Sequence, residues 1–441
     1  MLPLLKTNQC LSLFMTKINT VEPVQTSYDI SVENIYKAKV RLKSVALHTP
    51  LILNAGLSEK YECQVYVKRE DLQVVRSYKI RGAYNKMSTL TNEQRAKGIV
   101  AASAGNHAQG VAFSCQAMGI HGKIFMPTTT PNQKISKVRL FGREYIEIIL
   151  VGDTFDASYQ AALAYCEAND KVIIHPFDDE HTIEGQGTVG LEILEDCSTG
   201  IDYIFIPVGG GGLSAGIGSC FRHLSPTTKL IGVEAEGAPA MYESFKKGKV
   251  VQLDHIDTFA DGIAVKRVGE ITFRICKETL SDIVLVPEGK ICSTILQLYN
   301  EEAIVAEPAG AVSISALDFY KDKIKGKTVV CILSGGNNDI TRTEEIKERS
   351  LLYEGLKHYF LIKFPQRPGA LREFLNNVLG EKDDITRFEY IKKNSRESGP
   401  ALIGIELKDR NDYAPLLQRL KESKMNFQIL NDNKMLYELL V

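Results

Sequence analysis

YIFIPVGGGGLSAGIGSCFRHL, residues 203–224, decides the fold. Its first six residues are apolar almost throughout, as in a strand buried on both faces. Four glycines follow, Gly209, Gly210, Gly211 and Gly212, and then Leu213 opens a run with Ile217, Phe221 and Leu224 at helical spacing. A flexible linker does not belong between a buried strand and an amphipathic helix. A strand, a glycine loop and a helix start let several backbone N–H groups converge on a phosphate. No Gly-Lys-Ser/Thr follows the glycines and the dinucleotide fingerprint is absent, which argues against a nucleoside triphosphate.

The same alternation continues on both sides. Short β-branched runs occur at 98–102 (GIVAA), 122–127 (GKIFMP), 145–151 (YIEIILV), 229–235 (KLIGVEA) and 327–333 (KTVVCIL), with helical patterns between them. This is an α/β pattern: parallel sheets, right-handed crossovers and helices on both faces. Beyond the charged stretch TRTEEIKERS at 341–350 the pattern changes. Strand YFLIKFP, helix ALREFLNNVL, strands DITRFEYIKK and PALIGIELK, helix YAPLLQRLKES and strand NFQIL follow in the βαββαβ order of an α+β ferredoxin-like unit. Its first helix is expected to turn Ala370, Leu371, Phe374, Leu375, Val378 and Leu379 to one face. Residues 1–27 are polar and irregular, so the expected division is an extension (1–27), a catalytic α/β unit (28–345) and a smaller C-terminal domain (346–441).

Composition bounds the function. The chain has 441 residues, 44% hydrophobic and 24% charged, with a net charge of −1. The missing basic excess argues against nucleic acid and against a polybasic membrane role. No run approaches the ~18 apolar residues of a membrane span. The mildly apolar start is broken at Lys6, Thr7, Asn8 and Gln9, with no small-residue cleavage pattern after it, which argues against a secretion signal. Nine cysteines, odd in number and without a Cys-x-x-Cys pair, suit a reducing cytoplasm and suggest neither a disulfide framework nor a metal site.

In open parallel sheets ligands bind beyond the carboxyl ends of strands. GIVAA runs into SAGNHAQG, where Ser103, Gly105 and Asn106 form a turn, and Ser103 is placed to cap the helix that buries Ala108, Val111, Ala112 and Cys115. KTVVCIL runs into SGGNND, where Ser334 could meet a ligand ring; on spacing alone, both ends also fit ordinary turns. Lys79 lies in VKREDLQVVRSYKIRGAYNKM between Tyr78 and Ile80. A lysine in a dry pocket has a lowered pKa and can form a Schiff base. Such an amine, a phosphate cradle and a partner for a ring nitrogen together suggest pyridoxal 5'-phosphate.

The ordered segments VKREDLQVVRSYKIRGAYNKM, SAGNHAQGVA, PVGGGGLSAGI, EPAGA and CILSGGNND resemble the fold-type II pyridoxal-phosphate enzymes, and within them the biosynthetic threonine dehydratases. The tail, with FPQRPGALREF, resembles the ACT-like regulatory domain of that family. The resemblance implies two lobes of open parallel sheet. It implies Lys79 as the cofactor-bearing lysine and proton acceptor, Asn106 on the cofactor's phenolic oxygen, Gly209 to Leu213 on its phosphate and Ser334 facing its ring nitrogen. Ser103, Ala104, Gly105, Asn106 and His107 would hold the substrate carboxylate. The implied reaction turns L-threonine into 2-oxobutanoate and ammonia. A serine dehydratase or serine racemase is the alternative, but racemases carry a second serine where this chain has Ala104. The tail has room for one ACT-like domain, with Arg367, Gly369 and Ala370 at a helix start as the candidate effector site. Isoleucine as inhibitor, valine as antagonist, and a homotetramer that can hold two global states are what the resemblance implies.

Overall fold

The computed structural model describes residues 30–390 and 397–431. The expected extension at 1–27 lies outside them. The strands are β1 (Leu51–Leu53), β2 (Gln64–Arg69), β3 (Ile99–Ala102), β4 (Gly122–Met126), β5 (Ile146–Leu150), β6 (Val172–Ile173) and β7 (Tyr203–Pro207). They continue with β8 (Lys229–Ala235), β9 (Asp282–Val286), β10 (Thr328–Leu333), β11 (Lys357–Pro365), β12 (Asp384–Tyr390), β13 (Ser398–Glu406) and β14 (Asn426–Ile429). They build three sheets, ordered β1-β2-β10-β7-β8-β9, β5-β4-β3-β6 and β12-β13-β11-β14.

The apolar runs are strands because both of their faces are covered. Along β7, Tyr203 and Phe205 enter one core while Ile204 and Ile206 enter the core on the opposite face. Along β3, Ile99 and Ala101 face one layer and Val100 and Ala102 the other. Pairing is parallel throughout the second sheet, and in the first from β2 to β9. Edge strand β1 departs from the expected parallel pattern by running antiparallel to β2. Its connection is built around a seven-residue helix, Ala55–Tyr61, whereas a parallel crossover needs a dozen residues or more.

The third sheet is antiparallel, as a ferredoxin-like unit requires. Its first helix, Ala370–Asn377, starts after Gly369, whose φ of +85° suits glycine. Ala370, Phe374 and Val378 are buried and Leu379 packs partly against the same core, but Leu371 and Leu375 are 42% and 41% exposed. The expected six-residue face is therefore too wide by those two leucines. The expected division after residue 345 falls inside the helix Thr343–Tyr353. Ile346 is buried in the core of the first sheet, and Ser350 Oγ lies 2.9 Å from Ser293 Oγ, so this helix packs as part of the larger body. Among the described residues, the eight cysteines are free and no helix is long and apolar enough to cross a membrane.

Candidate active site

Three strand ends and one helix start meet at the carboxyl edge of the two parallel sheets. Lys79 opens the helix Lys79–Ser88. The segment leading to it is tied to the turn after β10: Tyr78 N donates to Ser334 O (3.2 Å), Gly336 N donates to Arg76 O (2.9 Å), and Ser77 bridges Gly335. Arg76 takes a left-handed φ of +59° to make that connection. The Lys79 amine donates to the Pro176 carbonyl (3.0 Å), lies 5.2 Å from the Tyr78 ring and forms no ion pair among the described residues. Burial pulls its pKa from the ordinary 10.5 down to about 8, against the opposing charge of Glu307.

The glycine loop joins β7 to the helix Gly212–Leu224, with Gly211 at φ +92°. Among the described residues, no protein acceptor takes the backbone N–H groups of Gly209 to Leu213. The hydroxyl of Ser214 in the same first turn is buried without a partner. A buried row of open donors at a helix start is the chemistry an anionic tail needs. The glycines also allow close packing. A Cβ on Gly209 would sit 2.9 Å from Ile263 Cα, and one on Gly210 would run into the Phe177 ring.

After β3, the helix Asn106–Met118 begins behind Gly105 without a side-chain cap. Ser103 was expected to cap it, but it stands too far upstream. Its hydroxyl accepts from Gly105 N instead (3.1 Å), tightening the turn and leaving the helix's first N–H groups open. A Cβ on Gly105 would meet open space. Ala104 is half-buried in this turn. The ring of His107 does not face the turn. It is buried, its Nε2 lies 2.7 Å from Ile174 O, and burial together with the Lys79 charge drops its pKa to about 3. It is a neutral donor to that carbonyl, so what it can offer the turn is its backbone N–H.

The Asn106 amide is held at both ends. Nδ2 donates to Glu307 Oε1 (2.6 Å), and Oδ1 accepts from Asn337 Nδ2 (2.8 Å). One Nδ2 proton remains for a ligand. Glu307 and Asn337 were not singled out from the sequence, although both lie in quoted motifs. Glu307 is buried, which with the charge of Asp261 raises its pKa to about 7 against the Asn106 bond and Lys134. The one available signal was a carboxylate inside the apolar run AIVAEPAGAV. Ser334 is buried and donates to Ala309 O (3.2 Å), which joins the turn after β10 to the EPAGA segment.

Arg367, Gly369 and Ala370 come together in the C-terminal domain. They line a cavity of about 460 Å³ with Leu371, Leu375 and Phe388. Arg367 pairs with Glu373 at the surface (2.6 and 2.8 Å).

Known proteins are similar to this chain in sequence and fold. The family described as "Pyridoxal-phosphate dependent enzyme" matches residues 43–335, and "C-terminal regulatory domain of Threonine dehydratase" matches residues 348–440. The chain is 60% identical over 412 residues to the L-threonine dehydratase biosynthetic IlvA of Halalkalibacterium halodurans, covering 93% of this chain and 99% of that protein. It is 58% identical over 412 residues to the protein of that name from Bacillus subtilis, covering 93% and 98%. Among solved structures it is similar to the processed form of threonine deaminase isoform 2 from Solanum lycopersicum, with 42% identity, a TM-score of 0.68, and 73% of this chain and 94% of that chain covered. It is also similar to maize serine racemase, with 28% identity, a TM-score of 0.68, and 74% and 99% covered.

Proposed function

Because the chain belongs to the pyridoxal-phosphate dependent enzymes, and within them to the biosynthetic threonine dehydratases, we infer that it converts L-threonine to 2-oxobutanoate and ammonia, with Lys79 at the centre of the site. Bound pyridoxal phosphate supplies an electron-withdrawing ring that takes up the bonding pair of the substrate's Cα–H bond. The residues fit that group: a desolvated amine, open N–H groups for a phosphate and a neutral hydroxyl at Ser334.

Lys79 would hold the cofactor through its amine and, once the substrate's amine has displaced it, take the Cα proton. Burial, which lowers the pKa of this amine, favours the neutral form that such a proton acceptor needs. Gly209, Gly210, Gly211, Gly212 and Leu213 would hold the phosphate through N–H groups. Asn106 would give its spare Nδ2 proton to the phenolic oxygen, with Glu307 and Asn337 fixing the amide plane. Ser334 would face the ring nitrogen; a neutral hydroxyl does not hold that nitrogen protonated as a carboxylate would. Ser103, Ala104, Gly105, Asn106 and His107 would bind the substrate carboxylate at the open helix start, His107 through its backbone. The Cα proton and the β-hydroxyl leave as water, and the released enamine takes up water and loses ammonia. Ala104 offers no acid to return a proton on the opposite face, which favours elimination over racemisation.

In the C-terminal domain, Arg367, Gly369 and Ala370 would receive an amino-acid carboxylate, and the apolar wall of Leu371 and Leu375 a branched side chain. Isoleucine as inhibitor and valine as antagonist would bind there, and the enzyme would be a cytoplasmic homotetramer. The observation that carries the catalytic reading is the desolvated Lys79 amine, bonded to a carbonyl and not to a carboxylate, at the same sheet edge as the open N–H groups of the glycine loop. The test is borohydride reduction with peptide mapping, together with 2-keto-acid assays on L-threonine, L-serine and D-serine. The expected results are an adduct on Lys79 and the highest kcat/KM on L-threonine. An adduct elsewhere would sink the site assignment.

A further inference from the structure

We propose that Thr272 is a positioning residue for the cofactor phosphate: its hydroxyl holds the Gly210 carbonyl out of the glycine loop, so that the loop's N–H groups stay turned toward the anion. This rests on the reading of the loop as the phosphate site.

A nest of converging N–H groups works only if the intervening carbonyls point elsewhere, and each buried carbonyl then needs a donor of its own. Gly210 O has two. Thr272 Oγ1 donates to it at 2.6 Å, and Gly269 N at 3.4 Å. Thr272 Oγ1 also lies 3.2 Å from Gly269 O, but a hydroxyl has one proton and the shorter contact is the better bond. Thr272 is fully buried, so this donor does not exchange with water. Its Cβ also walls the loop: a Cβ on Gly211 would lie 2.9 Å from it.

Thr272 is itself fixed from a distance. It stands in the first turn of the helix Glu270–Thr279, which has no cap of its own. The Asp178 carboxylate, 94 residues earlier than Thr272, accepts from the N–H groups of Glu270 (3.0 Å), Ile271 (2.9 Å) and Thr272 (3.2 Å). Asp178 ends the turn that follows β6. Within that turn, His175 Nδ1 accepts from Asp178 N (2.7 Å), Pro176 O receives the Lys79 amine, and the Phe177 ring lies against Gly210. One turn therefore braces both the amine and, through Thr272, the phosphate loop. That fixes the spacing between the two ends of the cofactor they would hold.

The test compares pyridoxal 5'-phosphate with pyridoxal, which lacks the phosphate, on the full-length chain stripped of cofactor and retitrated by absorbance. In Thr272→Val, the dissociation constant for the phosphate ester should rise about tenfold while that for pyridoxal moves less than about twofold. Thr272→Ser, which keeps the hydroxyl, should restore the phosphate preference. Equal weakening of both ligands would mean a merely structural role and would overturn the proposal, as would an unchanged phosphate preference in Thr272→Val. Gly211→Ala separates the two readings. If it keeps the wild-type preference for the phosphate ester, the loop is not the phosphate site. If it loses that preference while Thr272→Val keeps it, only the role of Thr272 fails.

Discussion

At Lys79 the surroundings of the amine, not the residue type, lower its pKa. Burial takes away the water that would stabilise an ammonium, and the nearest acceptor is a carbonyl. Lys79→Ala should lower turnover of L-threonine by about a thousandfold or more, with the melting temperature near that of the parent; product assay and a thermal melt check the two halves. His107 carries a different consequence. Its folded pKa of about 3 lies below the ordinary 6.5, so between those values the unfolded chain binds more protons than the folded one. Stability present above pH 6.5 is therefore lost as the pH falls through that window, at up to about 1.4 kcal/mol per pH unit for such a histidine. The urea midpoint at pH 5.5 should lie below that at pH 7. In His107→Gln, whose amide can still donate to Ile174 O, that difference should shrink. Lys79 stands out in the sequence because its motif is local. Glu307 does not, because its burial and its bond to Asn106, some two hundred residues away, appear only in the fold.

The helix Lys79–Ser88 is held in place by a buried charged cluster just after its first residue. Two residues after Lys79, the Arg81 guanidinium is fully enclosed. It bonds Glu70 (2.7 and 2.8 Å), Glu192 (2.6 and 2.8 Å) and Thr188 (3.1 Å), while buried Lys68 completes the cluster at 2.7 Å from Glu192. Such a pair adds little over an apolar core, but removing one member strands the others. Arg81→Met should therefore cost about 3–5 kcal/mol in urea denaturation. The joint between the turn after β10 and the EPAGA segment is as tight. A Cβ on Gly310 would run into Gly335 O, so Gly310→Ala should separate Ser334 from Glu307 and weaken cofactor binding, read as lost visible absorbance at fixed cofactor concentration. Strand positions were legible because β3, β7 and β10 are apolar on both faces and their periods are local. The direction of β1 was not, since it depends on the length of one connection. The exposure of Leu371 and Leu375 was not either, since the spacing gives a stripe but not the width of the surface it meets.

Across the whole molecule, the helix Thr343–Tyr353 touches both the larger body and the C-terminal sheet. One face of it, along its whole length, packs on the larger body: Ile346 is in the core, Ser350 meets Ser293, and Tyr353 packs on Gly289. Its outward face holds the regulatory sheet. Glu348 accepts from Tyr359 Oη (2.6 Å) and pairs with Lys357 (3.3 Å), both on β11 and both buried. A chain cut after Lys347 removes Ser350 and Tyr353 and uncovers part of the catalytic core. A chain cut after Glu354 removes only the regulatory sheet. With L-threonine as substrate, the longer fragment should keep the parent kcat and lose any response to isoleucine, while the shorter one should melt several degrees lower. Glu348→Gln tests the joint without deletion. It leaves an acceptor for Tyr359 but removes the charge that pairs with a buried lysine, and its side chain lies far from the reacting groups in sequence and contact. Basal turnover should stay at the parent value while the maximal inhibition by isoleucine falls. A Glu348→Gln enzyme inhibited as fully as the parent would mean that a signal from the cavity at Arg367 reaches Lys79 by a route other than this ion pair.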